Sequence, residues 1–267
     1  MNKVQIMGIF NATPDSFYDG YGGDGKLNSF NIEKKISEII DADIIDVGGE
    51  STRPGSKKIK FNTEIKRIEA LNEVVKSNSN IFSIDTYKYE VAKYALENGY
   101  GMINDIYAGR YDSRIFELAS DYKVPIVLMH MRGNPENMQV DVVKYSSIVD
   151  NIVSFFEERI KEALDYGICP ENIILDPGIG FGKSVEDNFI IIKHLKDFKK
   201  LGYKILLGLS RKSFLTFNGN KPKERLAPTL SMSTIAILNG VDILRVHDVS
   251  DTINAVSAIN NYIKIEK

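Results

Sequence analysis

The chain has little of several things, and each shortage excludes something. A single cysteine, Cys169, rules out an internal disulfide and fits a reducing compartment. It sits before Pro170 in a connection, with no base near it in sequence, which argues against a catalytic thiol. No stretch approaches the roughly 18 apolar residues of a membrane span, and Met1–Ile9 lacks the layout of a secretion signal. A soluble, cytoplasmic protein is the expectation. Charge of one sign is also missing: 34 basic residues against 36 acidic ones give a net charge of −2. That balance excludes the basic surface a nucleic-acid binder needs. The short clusters Lys57–Lys60 and Lys199–Lys200 read as solvated helix faces and loops. There is no Pro/Ser-rich linker and no low-complexity segment, so residues 1–267 are expected to form one domain. Their length suits a single α/β barrel of about 250 residues.

What the chain does have is eight short, almost continuously apolar runs. They are Gln5–Ile9, Ile44–Val47, Ile81–Ile84, Met102–Ile103, Pro125–Met129, Ile173–Leu175, Ile205–Leu207 and Ile243–Val246. Continuous rather than alternating apolarity is expected of parallel strands covered on both faces. Between the runs the period changes. Ile32, Ile36, Ile39 and Ile40 recur at helical spacing. So do Ile65, Ile68, Leu71 and Val75, then Val91, Ala92, Ala95 and Leu96, then Ile148, Ile152, Phe155, Phe156 and Ile160. Strand then helix, eight times, with a last helix near Val249–Ile263, predicts a closed (β/α)8 TIM barrel. In that fold the functional residues sit at the carboxyl ends of the strands.

Polar residues and glycines stand at those ends. Ser51–Gly55 offers hydroxyls, a guanidinium and a turn that a ligand can approach closely. Arg245 and His247 lie two apart on an extended strand and share a side, a suitable grip for phosphate. The competing role for Arg245 is pairing with a barrel carboxylate. Asp85 and Asp176 end their strands, as Asn104 does on the strand between. Buried acids are costly unless paired or ligand-bound. Two acids and an amide from different strands can read a heterocycle edge carrying amino and ring N–H donors. Neither aspartate has a His or Glu at metal-ligand spacing, which disfavours metal ligation by this pair. Lys212, in Ser210–Ser213, suits a Schiff base or an anion site at a helix amino terminus. Thr13–Gly25, rich in glycine, and Gly133–Gln139 read either as lids or as surface loops.

Taken together, these segments resemble the dihydropteroate synthases of the folate pathway. The matching stretches are Met7–Phe17 (MGIFNATPDSF), Asp46–Gly55 (DVGGESTRPG), Ser83–Thr86, Ile103–Ile106, Leu128–Met131, Leu175–Lys183 (LDPGIGFGK), Ser210–Ser213 and Arg245–Asp248. They cover nearly the whole chain in family order, and as a set they are highly specific. The family joins 6-hydroxymethyl-7,8-dihydropterin diphosphate to p-aminobenzoate, releasing pyrophosphate. The resemblance implies that Asp85, Asn104, Asp176 and Lys212 surround the pterin, with Arg245 stacked on it and Met129 and Phe181 as walls. It removes the Schiff-base reading of Lys212. It also implies Asn11 as the Mg²⁺ ligand, with Thr52, Arg53, Arg245 and His247 around the diphosphate. Phe17, Thr52, Pro54, Phe181, Lys212 and Ser213 would contact p-aminobenzoate, and Asp85, Lys212, Arg245, His247 and Asp19 would carry the catalysis. His130 reads as structural. A homodimer and sulfonamide inhibition are further family expectations.

The expected chemistry is ionisation of the C–O bond to a ring-delocalised cation, followed by attack of the amine. The sequence departs from the family pattern in its longer glycine-rich first loop, in Asp41-Ala42-Asp43 before the second run, in Pro228, and in Met232–Thr234. The alternatives are a methyltetrahydrofolate-dependent corrinoid methyltransferase domain and a catalytically silent pterin-binding paralogue. The first has no pyrophosphate to hold, so Ser51–Gly55 with Arg245 and His247 discriminates against it. The second is disfavoured because every expected site residue is present.

Overall fold

The computed structural model describes residues 3–13, 29–51, 56–133 and 147–265. Its eight strands form a closed parallel barrel in chain order, β1 (Gln5–Asn11), β2 (Ile44–Gly48), β3 (Ile81–Asp85), β4 (Met102–Asp105), β5 (Ile126–Met129), β6 (Ile173–Asp176), β7 (Lys204–Leu207) and β8 (Ile243–Val246). Closure comes from β8 pairing with β1, Gln5 opposite Ile243. Each strand begins within a residue of the expected run, and most continue one or two residues further, into the polar residues that follow. Asn11, Asp85, Asn104 and Asp176 are therefore ladder residues, held by backbone hydrogen bonds rather than by loops.

Helices follow the strands: α1 (Ser29–Ile39), α2 (Phe61–Glu69), α3 (Asn72–Ser77), α4 (Tyr89–Glu97), α5 (Arg114–Asp121), α6 (Ile148–Asp165), α7 (Val185–Lys193), α8 (Leu195–Lys199), α9 (Leu226–Leu238) and α10 (Val249–Lys264). The stripe through Ile65 and Val75 is split between α2 and α3, with Leu71 at the break still fully buried, so the spacing survives the interruption. Caps explain two starts. Ser147 accepts the Asp150 N–H to begin α6, and Ser184 and Asp187 exchange hydrogen bonds in a capping box at α7. Pro228 falls in the first turn of α9, where its missing N–H breaks no helical bond.

Because both faces of every strand are covered, alternate residues serve two cores. Outward residues such as Ile45, Phe82, Ile103, Leu128, Leu175, Ile205 and Leu244 pack under the helices. Inward residues stack in layers of four from alternate strands. Following the register around the barrel, Ile44, Met102, Ile174 and Ile243 make one layer, and Met7, Ser83, Val127 and Leu206 the next. All but Ser83 are a single buried apolar cluster, the barrel's floor. No helix among the described residues is long and apolar enough to cross a membrane.

Candidate active site

The next layer toward the carboxyl ends is entirely polar. The same register places Asp46, Asn104, Asp176 and Arg245 in it, one from each even-numbered strand, with Ile9, Asp85, Met129 and Gly208 above. Asp46 is completely buried. Its Oδ2 accepts from Arg245 Nε at 2.6 Å and from Asn104 Nδ2 at 3.0 Å, while Arg245 Nη2 donates to Asp85 Oδ2 at 2.6 Å. Pairing of Arg245 with barrel carboxylates, the competing reading of the sequence, is thus what the structure shows. The guanidinium is buried, which works against its charge, but Asp46 and Asp85 hold it firmly protonated. Asp85 is pushed up to about 7 by burial, against the pull of Arg245, with Asp46, Glu64 and Asp105 adding to the rise. Asp85 Oδ1 and Asp46 Oδ1 accept no hydrogen bond from the described residues. One Asn104 N–H goes to Asp46; its Oδ1 and other N–H remain for a ligand edge.

Asp176, Lys212 and Phe181 meet on the opposite side. Burial raises Asp176 and lowers Lys212 to about 8, and each charge partly restores the other. The Lys212 ammonium donates to the Ile179 carbonyl and lies 4.6 Å from the Phe181 ring centre. Phe181 also packs against the cluster of Tyr87, Ile106, Tyr107, Met129 and Met131, so both expected walls join one apolar surface. The anion site at a helix amino terminus is not found. Ser213–Leu215 is a single 3₁₀ turn and α9 begins only at Leu226, so Lys212 and the exposed Ser213 stand before no α-helix dipole.

The β6 loop is shaped from below. Asp176 Oδ1 accepts the Gly178 N–H at 2.7 Å. Gly178 has φ +67°, and a Cβ there would lie 2.0 Å from the His130 carbonyl oxygen, so no other residue fits. Lys183, buried, donates to the carbonyls of His130, Gly178 and Phe181 at 3.1, 2.8 and 3.2 Å. Burial lowers it to about 7. His130 is buried, with Nε2 3.3 Å from Asn151 Oδ1 and its ring against Phe155.

At the barrel mouth Asn11 is half-buried, paired with Gly48 at the end of β1. His247 Nδ1 lies 3.1 Å from Ser210 Oγ, and burial, then Arg211 and Arg245, lower the ring to about 3. Arg245 and His247 both face inward but bind different partners. Phe17, Asp19, Thr52, Arg53 and Pro54 lie outside the described residues, as do most of the two candidate lid segments. Lys88 bridges Glu50 and Glu64, and Tyr87 OH donates to Glu50 at 2.7 Å. Lys88 lies in none of the matching stretches, and Asp46, which opens Asp46–Gly55, has no role assigned from the sequence.

A family model described as "Pterin binding enzyme" matches residues 7–247. A dihydropteroate synthase of Clostridium beijerinckii is 44% identical over 259 residues, 95% of this chain and 92% of the relative. The chain belongs to the dihydropteroate synthase family. Solved synthases agree in shape. The Yersinia pestis dihydropteroate synthase with a sulfonamide drug complex superposes with a TM-score of 0.91 at 32% identity, covering 98% of this chain and 95% of that one. The Xanthomonas albilineans dihydropteroate synthase in complex with 7,8-dihydropteroate gives 0.85 at 32% identity, covering 99% and 95%.

Proposed function

We propose that the chain, as one pterin-binding domain, condenses 6-hydroxymethyl-7,8-dihydropterin diphosphate with p-aminobenzoate to give 7,8-dihydropteroate and pyrophosphate. The observation that carries this reading is the barrel's polar layer. Asn104 and Arg245 share Asp46, Arg245 also holds Asp85, and Lys212 lies near Asp176 and against Phe181, which packs on the cluster containing Met129. A ring with amino and N–H donors satisfies the acceptors of Asp85, Asp176 and Asn104, and the apolar walls take its faces. Arg245 covers one side of the ring while its charge opposes the carboxylates.

The electrophilic carbon would then point toward the mouth, at Asn11 and His247, and the diphosphate would be received by Asn11, Thr52, Arg53 and His247. Magnesium fits there. Asn11 supplies one hard amide oxygen, and Mg²⁺ is ordinarily held by one or two protein oxygens together with substrate phosphates and water. When bound, the ion supplies positive charge for the departing pyrophosphate. Arg245, Arg53 and His247 hold the remaining oxygens, and the buried carboxylates stabilise positive charge that develops on the pterin. The weakly basic aniline nitrogen needs orientation rather than deprotonation. Phe17, Thr52, Pro54, Phe181, Lys212 and Ser213 orient it, and Asp19 joins the catalytic set.

We also infer a homodimer. The thirteen residues of α9 include no charged side chain, and Ile235 and Leu238 are 43% and 40% exposed on its outer face. The lone cysteine and balanced charge support a cytoplasmic setting. The deciding assay mixes the chain with Mg²⁺, both substrates and a pyrophosphate detector. Release that depends on p-aminobenzoate is expected. Its absence would reject the synthase reading, including in favour of a corrinoid methyltransferase or a silent paralogue. Full turnover by Arg245→Ala and His247→Ala, with unchanged affinity for the diphosphate, would reject the ionisation step.

A further inference from the structure

We infer that Asp46 is a positioning residue for the pterin half-reaction, acting through Arg245 and Asn104 without touching substrate. This rests on the synthase reading above.

Three features point to it. First, Asp46 is the most deeply buried member of its layer. Its exposure is 0%, against 4% for Asn104, 6% for Asp176 and 20% for the side chain of Arg245, across β1 from it. Second, one oxygen serves two site residues from opposite sides. Oδ2 takes the Arg245 Nε hydrogen from β8 and an Asn104 Nδ2 hydrogen from β4. A guanidinium held at Nε and Nη2 by Asp46 and Asp85 has its plane and its remaining donor direction set. An amide held at Nδ2 has its flip set, so Oδ1 is an acceptor at a known place. Third, Asp46 belongs to the strand rather than a loop. Its position is fixed by the ladders on both sides, Ile9 on β1 and Ser83 on β3. Rigid support of this kind is what a site needs to hold its contacting groups within tolerance.

The consequence is specific. Without the carboxylate, Arg245 would pivot toward Asp85 and Asn104 would lose its fixed flip, while the p-aminobenzoate contacts stay as they are. A misplacement of about 1 Å costs on the order of 100-fold in rate. The test compares wild type, Asp46→Asn and the smaller Asp46→Ser, each assayed well below its own melting temperature. For both variants, kcat/KM for the dihydropterin diphosphate should fall by about 10- to 100-fold. KM for p-aminobenzoate should stay within about 2-fold, a split that general loosening of the barrel would not produce. Ser83→Ala, which removes a buried inward neighbour bonded to neither Arg245 nor Asn104, should keep wild-type kinetics. Combining Asp46→Asn with Arg245→Lys should cost less than the two single losses multiplied, because both disturb one arrangement. If either Asp46 variant folds and turns over like wild type, or if both substrates are affected equally, the assignment is overturned. Wild type that releases no pyrophosphate is a separate result, and it would remove the synthase reading and this one together.

Discussion

Acidification should destabilise this barrel through one buried histidine. His130 is 4% exposed, Nε2 faces the Asn151 carbonyl oxygen, and Nδ1 has no hydrogen-bond partner among the described residues. A second proton would sit at Nδ1 without an acceptor, near Lys183 and Arg110. Burial, then Lys183, hold the ring down to about 2, while an unfolded histidine titrates near 6.5. Between those values the unfolded chain binds a proton that the folded chain refuses, so stability rises with pH and is lost as pH falls below 6.5. Going from pH 7.5 to 5.5 this one group should cost about 1.4 kcal/mol, out of a total of roughly 5–15 kcal/mol for a folded domain. His130→Gln keeps an N–H for Asn151 and the main-chain carbonyl for Lys183 but cannot titrate. Urea unfolding followed by far-UV circular dichroism suits a chain with no tryptophan. The difference between wild type and His130→Gln should change by about 1.4 kcal/mol over that interval, with wild type losing ground in acid. His247 and Asp85 also titrate, but they are common to both proteins and cancel. Parallel curves across the interval would refute the account of His130.

The remaining expectations concern the site and its frame. Gly178→Ala places a methyl against the His130 carbonyl and should cost more than about 3 kcal/mol, whereas Gly202→Ala, with φ +89° and nothing within 4 Å, should cost about 1–2 kcal/mol of backbone strain alone; paired urea titrations compare them. With Asp85 raised to about 7 and Lys212 lowered to about 8, kcat/KM for the dihydropterin diphosphate should fall below pH 7 as Asp85 gains a proton and above pH 8 as Lys212 loses one; Lys212→Arg should carry the alkaline limb upward. Chelation of Mg²⁺ should stop pyrophosphate release, and Asn11→Ala should raise the concentration of Mg²⁺ needed to restore it. Ile235→Glu with Leu238→Glu should convert a dimer to a monomer in light scattering.

The strands were legible because each is apolar on both faces, a pattern that only a doubly covered parallel sheet requires. Asn104, Asp85 and Asp176 were legible because each ends such a run. Asp46 was not, although it lies in the same layer. It sits one residue inside a run that reads Ile44-Ile45-Asp46-Val47, where apolar neighbours hide it. The signal was available: inward positions alternate along each strand, and counting two residues back from Gly48 finds an acid with no local partner. The helix start after Lys212 failed for a different reason. Serines before an apolar stretch resemble a cap, but Phe214 and Leu215 turn inward as a 3₁₀ turn and the chain does not continue into helix. Lys88 escaped because its partners, Glu50 and Glu64, are 38 and 24 residues away.

The polar layer also explains where this barrel spends stability. Packed apolar side chains would fill that level at lower cost, as they do, Ser83 apart, in the two layers beneath, since ion pairs taken out of water seldom recover their desolvation in full. Asp46, Asp85 and Arg245 carry a net charge of −1 in a buried space, which is why burial and its like-charged neighbours lift Asp85 toward neutrality. A ligand that donates hydrogen bonds, or gains positive charge as its leaving group departs, removes that penalty. The same excess of negative charge that lifts Asp85 is therefore the charge a pterin cation would require. An all-apolar layer would be more stable but would have nothing to offer the transition state.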